Sequence, residues 1–107
     1  MYLKLALDNQ ISKVTVERLS SHYEIILMAG DRPDEEWVED AYFEGANVFI
    51  SPDLDIPNLL EKIAPPEVPV FWIDIPQGLK SDKQYYNILN QLRKLEKTLN
   101  KEAYAKA

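Results

Sequence analysis

The chain has 107 residues, of which 46% are hydrophobic and 28% charged, and its formal net charge at pH 7 is −6. The sequence has no cysteine, no apolar run of 18 residues and no basic segment before an apolar one. It therefore predicts a single cytoplasmic domain over 1–107. Disulfides, thiolate metal sites, a membrane span and a secretory signal are not expected. The negative charge argues against nucleic-acid binding by phosphate neutralisation alone, unless divalent cations offset the acidic groups.

Apolar periodicity in the first half predicts two strands, each followed by a helix. Residues 2–7 form the first predicted strand, and 11–21 have helical spacing. The run 23–28 is β-rich and, apart from Glu24, apolar, which predicts a strand buried on both faces. Asp34-Glu35-Glu36 opens a second helix, because acidic residues favour the positive end of the helix dipole. Gly45 ends that helix.

The second half repeats the alternation. Residues 46–50 predict the third strand, and 56–63 predict a short helix with Pro57 in its first turn. Residues 68–73 predict a fourth strand, whose Pro69 belongs at a sheet edge or a strand start. One long helix follows from about 81 to 103. Strands and helices in this order predict an α/β three-layer sandwich with a parallel sheet of about four strands and right-handed crossovers.

Carboxylates follow two of the predicted strands. Asp53 and Asp55 come directly after the third strand, whose end is marked by Pro52, and Asp8 comes after the first. Ligands of open α/β sheets bind outside the carboxyl ends of the strands. If these two strands are parallel neighbours, the three carboxylates converge on one rim.

The order of the motifs resembles that of the short PIN-like nuclease domains, the compact relatives of the toxin–antitoxin ribonucleases. In that family Asp-Glu-Asn follows the first strand, Asp-Glu-Glu-Ile opens the second helix, and Thr-x-Asp-x-Asp-Phe follows the third strand. The matching segments span nearly the whole chain: Asp8-Asn9-Gln10, Asp34-Glu35-Glu36-Trp37, Ser51-Pro52-Asp53-Leu54-Asp55-Ile56, Phe71-Trp72-Ile73-Asp74-Ile75-Pro76 and the helix from Ser81. Asn9 departs from the pattern where the family has a second acidic residue, and Ile56 departs where it has an aromatic one.

The resemblance implies a divalent-metal-dependent nuclease that hydrolyses phosphodiester bonds, in RNA, with a protein inhibitor or antitoxin as a further partner. Mg²⁺ and Mn²⁺ prefer oxygen ligands and can activate a water while stabilising charge on the phosphate. The implied core ligands are Asp8, Asp34 and Asp53, with Asp55 or Glu35 holding a water beside the ion. The catalytic set would be Asp8, Asp34, Asp53 and Asp55.

Each of these carboxylates also has an ordinary structural explanation. Asp34 can interact with a helix dipole, Asp53 and Asp55 can bond to their own turn, and Asp8 can cap a helix. Convergence from three strand ends favours a site. One rival is a catalytically silent PIN-like binding protein whose acidic rim contacts a basic partner. The other is a receiver-like signalling domain, which is disfavoured because the segment 74–76 offers no lysine.

The last helix carries an apolar seam with alternating spacings of three and four, formed by Tyr85, Ile88, Leu92, Leu95 and Leu99. A helix over 81–103 spans about 35 Å, whereas a five-residue strand spans about 17 Å. The distal half, with Leu95 and Leu99, is therefore predicted to pack on a second copy in a homodimer. Another face of this helix is basic, which indicates either a solvated surface or attraction for a nucleic-acid backbone; it comprises Asn90, Lys94, Lys97 and Lys101.

Overall fold

Four parallel strands alternate with four helices in the structure, a computed structural model that describes residues 2–28 and 30–106, with side chains described as far as 100. The strands are β1 (Lys4–Leu7), β2 (Glu24–Leu27), β3 (Val48–Ile50) and β4 (Phe71–Ile73). The helices are α1 (Lys13–Ser20), α2 (Asp34–Phe43), α3 (Ile56–Ile63) and α4 (Ser81–Lys106). The predicted α/β class with a four-stranded parallel sheet is confirmed. Among the described residues, no helix is both long enough and apolar enough to cross a membrane.

The sheet order is β2-β1-β3-β4, and its two faces are covered by different helices. Because side chains alternate along a strand, Leu5 and Leu7 of β1 join the buried cluster that contains residues of α1 and α4. Ala6, between them, joins the second cluster, which contains residues of α2 and α3. This division gives the three layers of the predicted sandwich.

The connections that leave β1 and β3 run to opposite faces of the sheet. β1 continues through α1 to β2, whereas β3, which pairs with β1 on its other side, continues through α3 to β4. The chain therefore leaves the carboxyl ends of these two neighbouring strands toward opposite faces of the sheet. This place, between the ends of β1 and β3, is the topological switch point of the sheet. A crevice opens at such a point in α/β sheets, and ligands of these folds bind there.

The interpretation of β2 as a strand buried on both faces is wrong. β2 is an edge strand, bonded only to β1, and Leu27 is 54% exposed. Ile25 packs against one cluster and Ile26 against the other. Both faces of β2 are thus partly covered by the two clusters, which explains why the run from Ile25 to Met28 is apolar. No strand pairs with the outer edge of β2 among the described residues.

The distal half of α4 packs on its own domain. Ile88 and Leu92 are buried, and Leu95 and Leu99 pack, partly buried, against the same cluster. Helix length therefore does not by itself require a second subunit, because part of the distal surface is covered within the chain. The homodimer stays a prediction. Of the basic face, the side chain of Lys101 lies outside the described residues.

A hydrogen bond from the Tyr23 hydroxyl to the Glu96 carboxylate joins the start of β2 to the distal part of α4. Burial and then this bond raise the pKa of Tyr23 above its ordinary value. Below about pH 10 the folded and unfolded chains both hold the phenolic proton. Above it the unfolded chain loses that proton first, so the free energy of unfolding falls as the pH rises.

We expect Tyr23→Phe to make the free energy of unfolding less dependent on pH above about pH 10, because the variant has no proton to lose at this position. Urea denaturation at neutral pH and at about pH 11 measures this difference. Tyr86→Phe, which removes an exposed tyrosine of α4, is the control. An equal change in both variants would contradict the assignment to the bond between Tyr23 and Glu96.

Candidate functional site

At the switch point, a hydrogen bond joins two buried polar side chains, those of Asp8 and Ser51. The pairing of Leu7 with Ile50 places the next residue of each strand side by side. The Ser51 Oγ donates to Asp8 Oδ2 at 2.8 Å, and the backbone N–H of Gln10 donates to Asp8 Oδ1 at 2.9 Å. Asp8 is 4% exposed and Ser51 is fully buried. Both carboxylate oxygens of Asp8 therefore have donors, as burial of a charge requires.

Ser51 also shapes the loop that carries Asp53. Its Oγ accepts from the backbone N–H of Asp53 at 3.1 Å, and its carbonyl accepts from Trp72 Nε1 at 3.0 Å. Asp53 Oδ1 in turn accepts from the backbone N–H of Asp55 at 2.9 Å. The chain after β3 is thus turned so that Asp53 stays on the rim beside Asp8.

Asp34 reaches the same place from the other side, at the first turn of α2. The residue before the helix is Pro33, and its side chain makes no capping bond. The Asp34 carboxylate accepts from Trp37 Nε1 at 3.0 Å, and that indole is almost fully buried. Asp34 lies near enough to Asp53 and Asp8 that both groups raise its pKa.

The contact between Asp34 and Asp53 shifts the pKa values of both groups. A hydrogen bond with Asp53 raises the pKa of Asp34, helped by burial and by the negative charges of Asp53 and Asp8, while the bond from Trp37 opposes the rise. The same contact lowers the pKa of Asp53, as does the bond from the Asp55 backbone. The directions of the two shifts mean that, of these two carboxyl groups, Asp34 takes up a proton first as the pH falls.

Glu35 and Asp55 do not join this contact. Both are exposed, and they line, with Asp34 and Lys62, an adjoining groove of about 370 Å³. Glu35 follows Asp34 on a helix, where successive side chains point about 100° apart. The structure therefore brings together Asp8, Asp34 and Asp53, and leaves Glu35 and Asp55 beside them.

The oxygen donors of this acidic cluster, defined as Asp8, Asp34 and Asp53, have the chemistry that Mg²⁺ or Mn²⁺ requires. Within residues 2–28 and 30–106, no three His, Asp or Glu side chains are arranged as a ready-made metal site. Mg²⁺, however, keeps several waters and takes only one or two protein carboxylates. The close pair of Asp34 and Asp53, both reachable from the rim, suits that mode.

The structural explanations for the individual carboxylates apply unequally. Asp53 does bond to its own turn through the Asp55 N–H. Asp8 is not the cap of α1, because Ser12 is the N-cap and its Oγ accepts from the Thr15 N–H. Asp34 does lie in the first turn of α2, as the dipole explanation expects, and it also accepts a bond from the Trp37 indole. None of these roles requires Asp34 and Asp53 to meet.

Sequence reasoning finds the three carboxylates but not the groups that hold them. The bridging role of Ser51 depends on two strands 43 residues apart, which no local pattern reveals. The bond from Trp37 to Asp34 does have a local signal, since residues three apart on a helix are neighbours. An indole at that spacing behind an acidic first turn could have indicated it.

Comparisons of the chain with protein-family models, with curated proteins and with solved structures find no match. The resemblance to PIN-like domains stays a prediction from the order of the motifs.

Ser51→Ala tests the bridge. It removes the donor to a buried carboxylate oxygen and the acceptor for the Asp53 N–H, so we expect a loss of about 2 kcal/mol in the free energy of unfolding. Ser20→Ala, which removes an exposed hydroxyl bonded to the Glu17 carbonyl, should cost much less. Urea denaturation of both variants measures the contrast. Similar losses would mean that Ser51 is not a support of the rim.

Asp34→Asn tests the carboxylate pair. The amide oxygen can still accept from Trp37, while repulsion toward Asp53 disappears, so the metal-free variant should be more stable than the parent at neutral pH by about 1 kcal/mol. Because folding raises the pKa of Asp34, this group favours the folded state of the parent protein most at low pH. That contribution to the free energy of unfolding is lost as the pH rises through the pKa of Asp34 in the folded state. The gain should therefore shrink in acid.

Glu39→Gln is the matched control for Asp34→Asn, because it removes one exposed charge from the same helix. Thermal or urea unfolding at neutral and acidic pH gives the comparison. If Asp34→Asn destabilises the protein, or if Glu39→Gln stabilises it equally, repulsion within the acidic cluster is not the cause.

Proposed function

We propose that the protein is a PIN-like, divalent-metal-dependent nuclease that hydrolyses phosphodiester bonds in RNA. One observation carries the proposal: the Asp8 carboxylate and the Asp53 backbone N–H both bond to the Ser51 hydroxyl at the carboxyl edge of the sheet, and Asp34 lies near enough to Asp53 and Asp8 that both raise its pKa. The lack of cysteine in the sequence fits a cytoplasmic protein, and the resemblance to PIN-like domains adds restraint by a protein inhibitor or antitoxin.

Asp34 and Asp53 are the side chains that would hold Mg²⁺ or Mn²⁺, with Asp8 beside them. When bound, the ion supplies an activated water and neutralises charge on the phosphate oxygens. The protein's part is orientation. Trp37 fixes the Asp34 carboxylate, and Ser51 sets both Asp8 and the turn that presents Asp53.

The charge of the protein supports dependence on a cation. Eighteen acidic residues against twelve basic ones leave little attraction for a polyanion, and the acidic cluster repels a phosphate directly. A divalent cation at the pair would reverse the local charge and give the phosphate a place to bind. Binding of substrate and binding of metal should therefore be linked.

The alternative is a catalytically silent PIN-like protein whose acidic rim contacts a basic partner. The lack, within the described residues, of a ready-made group of three ligands favours it, as does Asn9 in place of an acidic residue. The two functions differ in whether metal binds to the acidic cluster.

Mn²⁺ at millimolar concentration should raise the melting temperature of the unmodified protein, because a ligand that binds only the folded state stabilises it by mass action, by about 2.7 kcal/mol at a hundred times Kd. Asp53→Asn should abolish the increase and the Mn²⁺-dependent cleavage of a single-stranded RNA. Glu17→Gln, which removes an exposed charge from α1, should change neither.

A melting temperature that does not respond to Mn²⁺ or Mg²⁺ would exclude the nuclease and leave the silent binding protein. A response that persists in Asp53→Asn would place the ion elsewhere on the molecule.

A further inference from the structure

A pocket of about 300 Å³ lies beside the acidic cluster, on the side of the sheet edge nearer β4 and α4. Its polar side chains, among the described residues, are the amides of Gln10, Gln77 and Gln84. The apolar part includes Ile11, Pro52 and Ile75. Within that described part of the chain no charged side chain lines the pocket, in contrast to the cluster next to it.

The pocket and the acidic cluster share their walls. Gln10 lines the pocket while its backbone N–H donates to the Asp8 carboxylate. Pro52, another lining residue, lies in the chain between Ser51 and Asp53. A group bound in the pocket and a phosphate bound at the carboxylates would therefore be neighbours along one edge of the sheet.

One amide of the pocket has a fixed orientation. Gln84 Oε1 accepts from the backbone N–H of Ser12 at 3.0 Å. Only the oxygen of an amide can accept, so the Nε2 group is the end left to donate. Gln84 is half-buried, whereas Gln10 and Gln77 are exposed and free to present either end of their amides. The pocket thus offers one set donor and two adaptable groups.

We propose that this pocket binds one base of a single-stranded RNA, next to the phosphate held at the acidic cluster; the proposal rests on the proposed nuclease function and names its specificity site. Glutamine amides pair with the donor and acceptor edges of bases. Proteins read RNA sequence mainly from unpaired bases that can leave the stack. The volume is at the lower end for small-molecule sites, which suits one base.

The negative net charge of the protein means that affinity for an RNA has to come from contacts other than attraction to phosphate. A chain of charge −6 gains little affinity from the phosphate backbone. Neutral amides add hydrogen bonds to an RNA without requiring opposite charge. The fixed donor of Gln84 requires an acceptor at one place on the base edge, and the four bases differ in where their acceptors lie, so they should not bind equally.

Neutral nucleosides test the pocket without phosphate or metal. We expect NMR titration of the unmodified protein with uridine, cytidine, adenosine and guanosine to shift signals of Gln10, Gln77 and Gln84. The tightest nucleoside should bind at least about tenfold better than the weakest. Gln84→Glu should lower that affinity about tenfold, because a carboxylate still accepts from Ser12 but cannot donate.

Asn90→Asp is the matched control, since it makes the same amide-to-carboxylate change at an exposed position of α4 outside the pocket. It should leave nucleoside binding unchanged. Gln77→Ala, at an exposed position, should also weaken binding and does not depend on the Ser12 contact. The proposal is overturned if no nucleoside shifts these signals at millimolar concentration, or if Asn90→Asp weakens binding as much as Gln84→Glu.

Mn²⁺-dependent cleavage of single-stranded RNA separates this proposal from the one it rests on. Cleavage that continues unchanged, with the same base preference, in Gln84→Glu overturns the base pocket and leaves the nuclease. Nucleoside binding that depends on Gln84, in a protein that cleaves nothing, supports the pocket and removes the nuclease.

Discussion

The hydrogen bond between Ser51 and Asp8 is the contact on which the rim of this sheet depends. A buried carboxylate is costly unless donors surround it, and Asp8 receives one donor from a neighbouring strand and one from its own turn. The bond joins the first residue after β1 to the first residue after β3. The backbone N–H of Asp8 also donates to the Ile50 carbonyl at 3.1 Å, so the side-chain bond extends the link between these strands by one more residue, at the point where their connections leave in different directions.

The two residues of that bond organise different chemistry on their two sides. Through its Oγ, Ser51 sets the turn of Asp53, and the charged cluster completed by Asp34 lies there. Through Oδ1, Asp8 sets Gln10, and the neutral amide pocket begins there. A strongly acidic site and an uncharged one can adjoin because the buried pair and Pro52 separate them. An extended ligand with alternating charged and neutral groups matches such an edge.

The local sequence pattern predicts where helices and strands lie along the chain, but it does not predict which of them pack against each other. The start of α2 at Asp34 and both ends of α3 follow from first-turn acids, Pro57 and apolar spacing. Parallel strands then place Asp8 near Asp53. The edge position of β2 does not follow, because Ile25 and Ile26 each find partial cover and the run looks fully buried. Nor does the Gln84 contact with Ser12, across 72 residues, since it depends on how α4 returns to the sheet.

The acidic cluster differs from a set of turn and cap residues in the direction of a pKa shift, that of Asp34. A carboxylate with a purely structural role gains donors on folding, and such donors favour its charged form. Folding instead presses Asp34 against Asp53, and the pKa of Asp34 rises in consequence. Neither the turn at Asp53 nor the first turn of α2 needs that contact. A positive charge between the two groups would make that contact favourable.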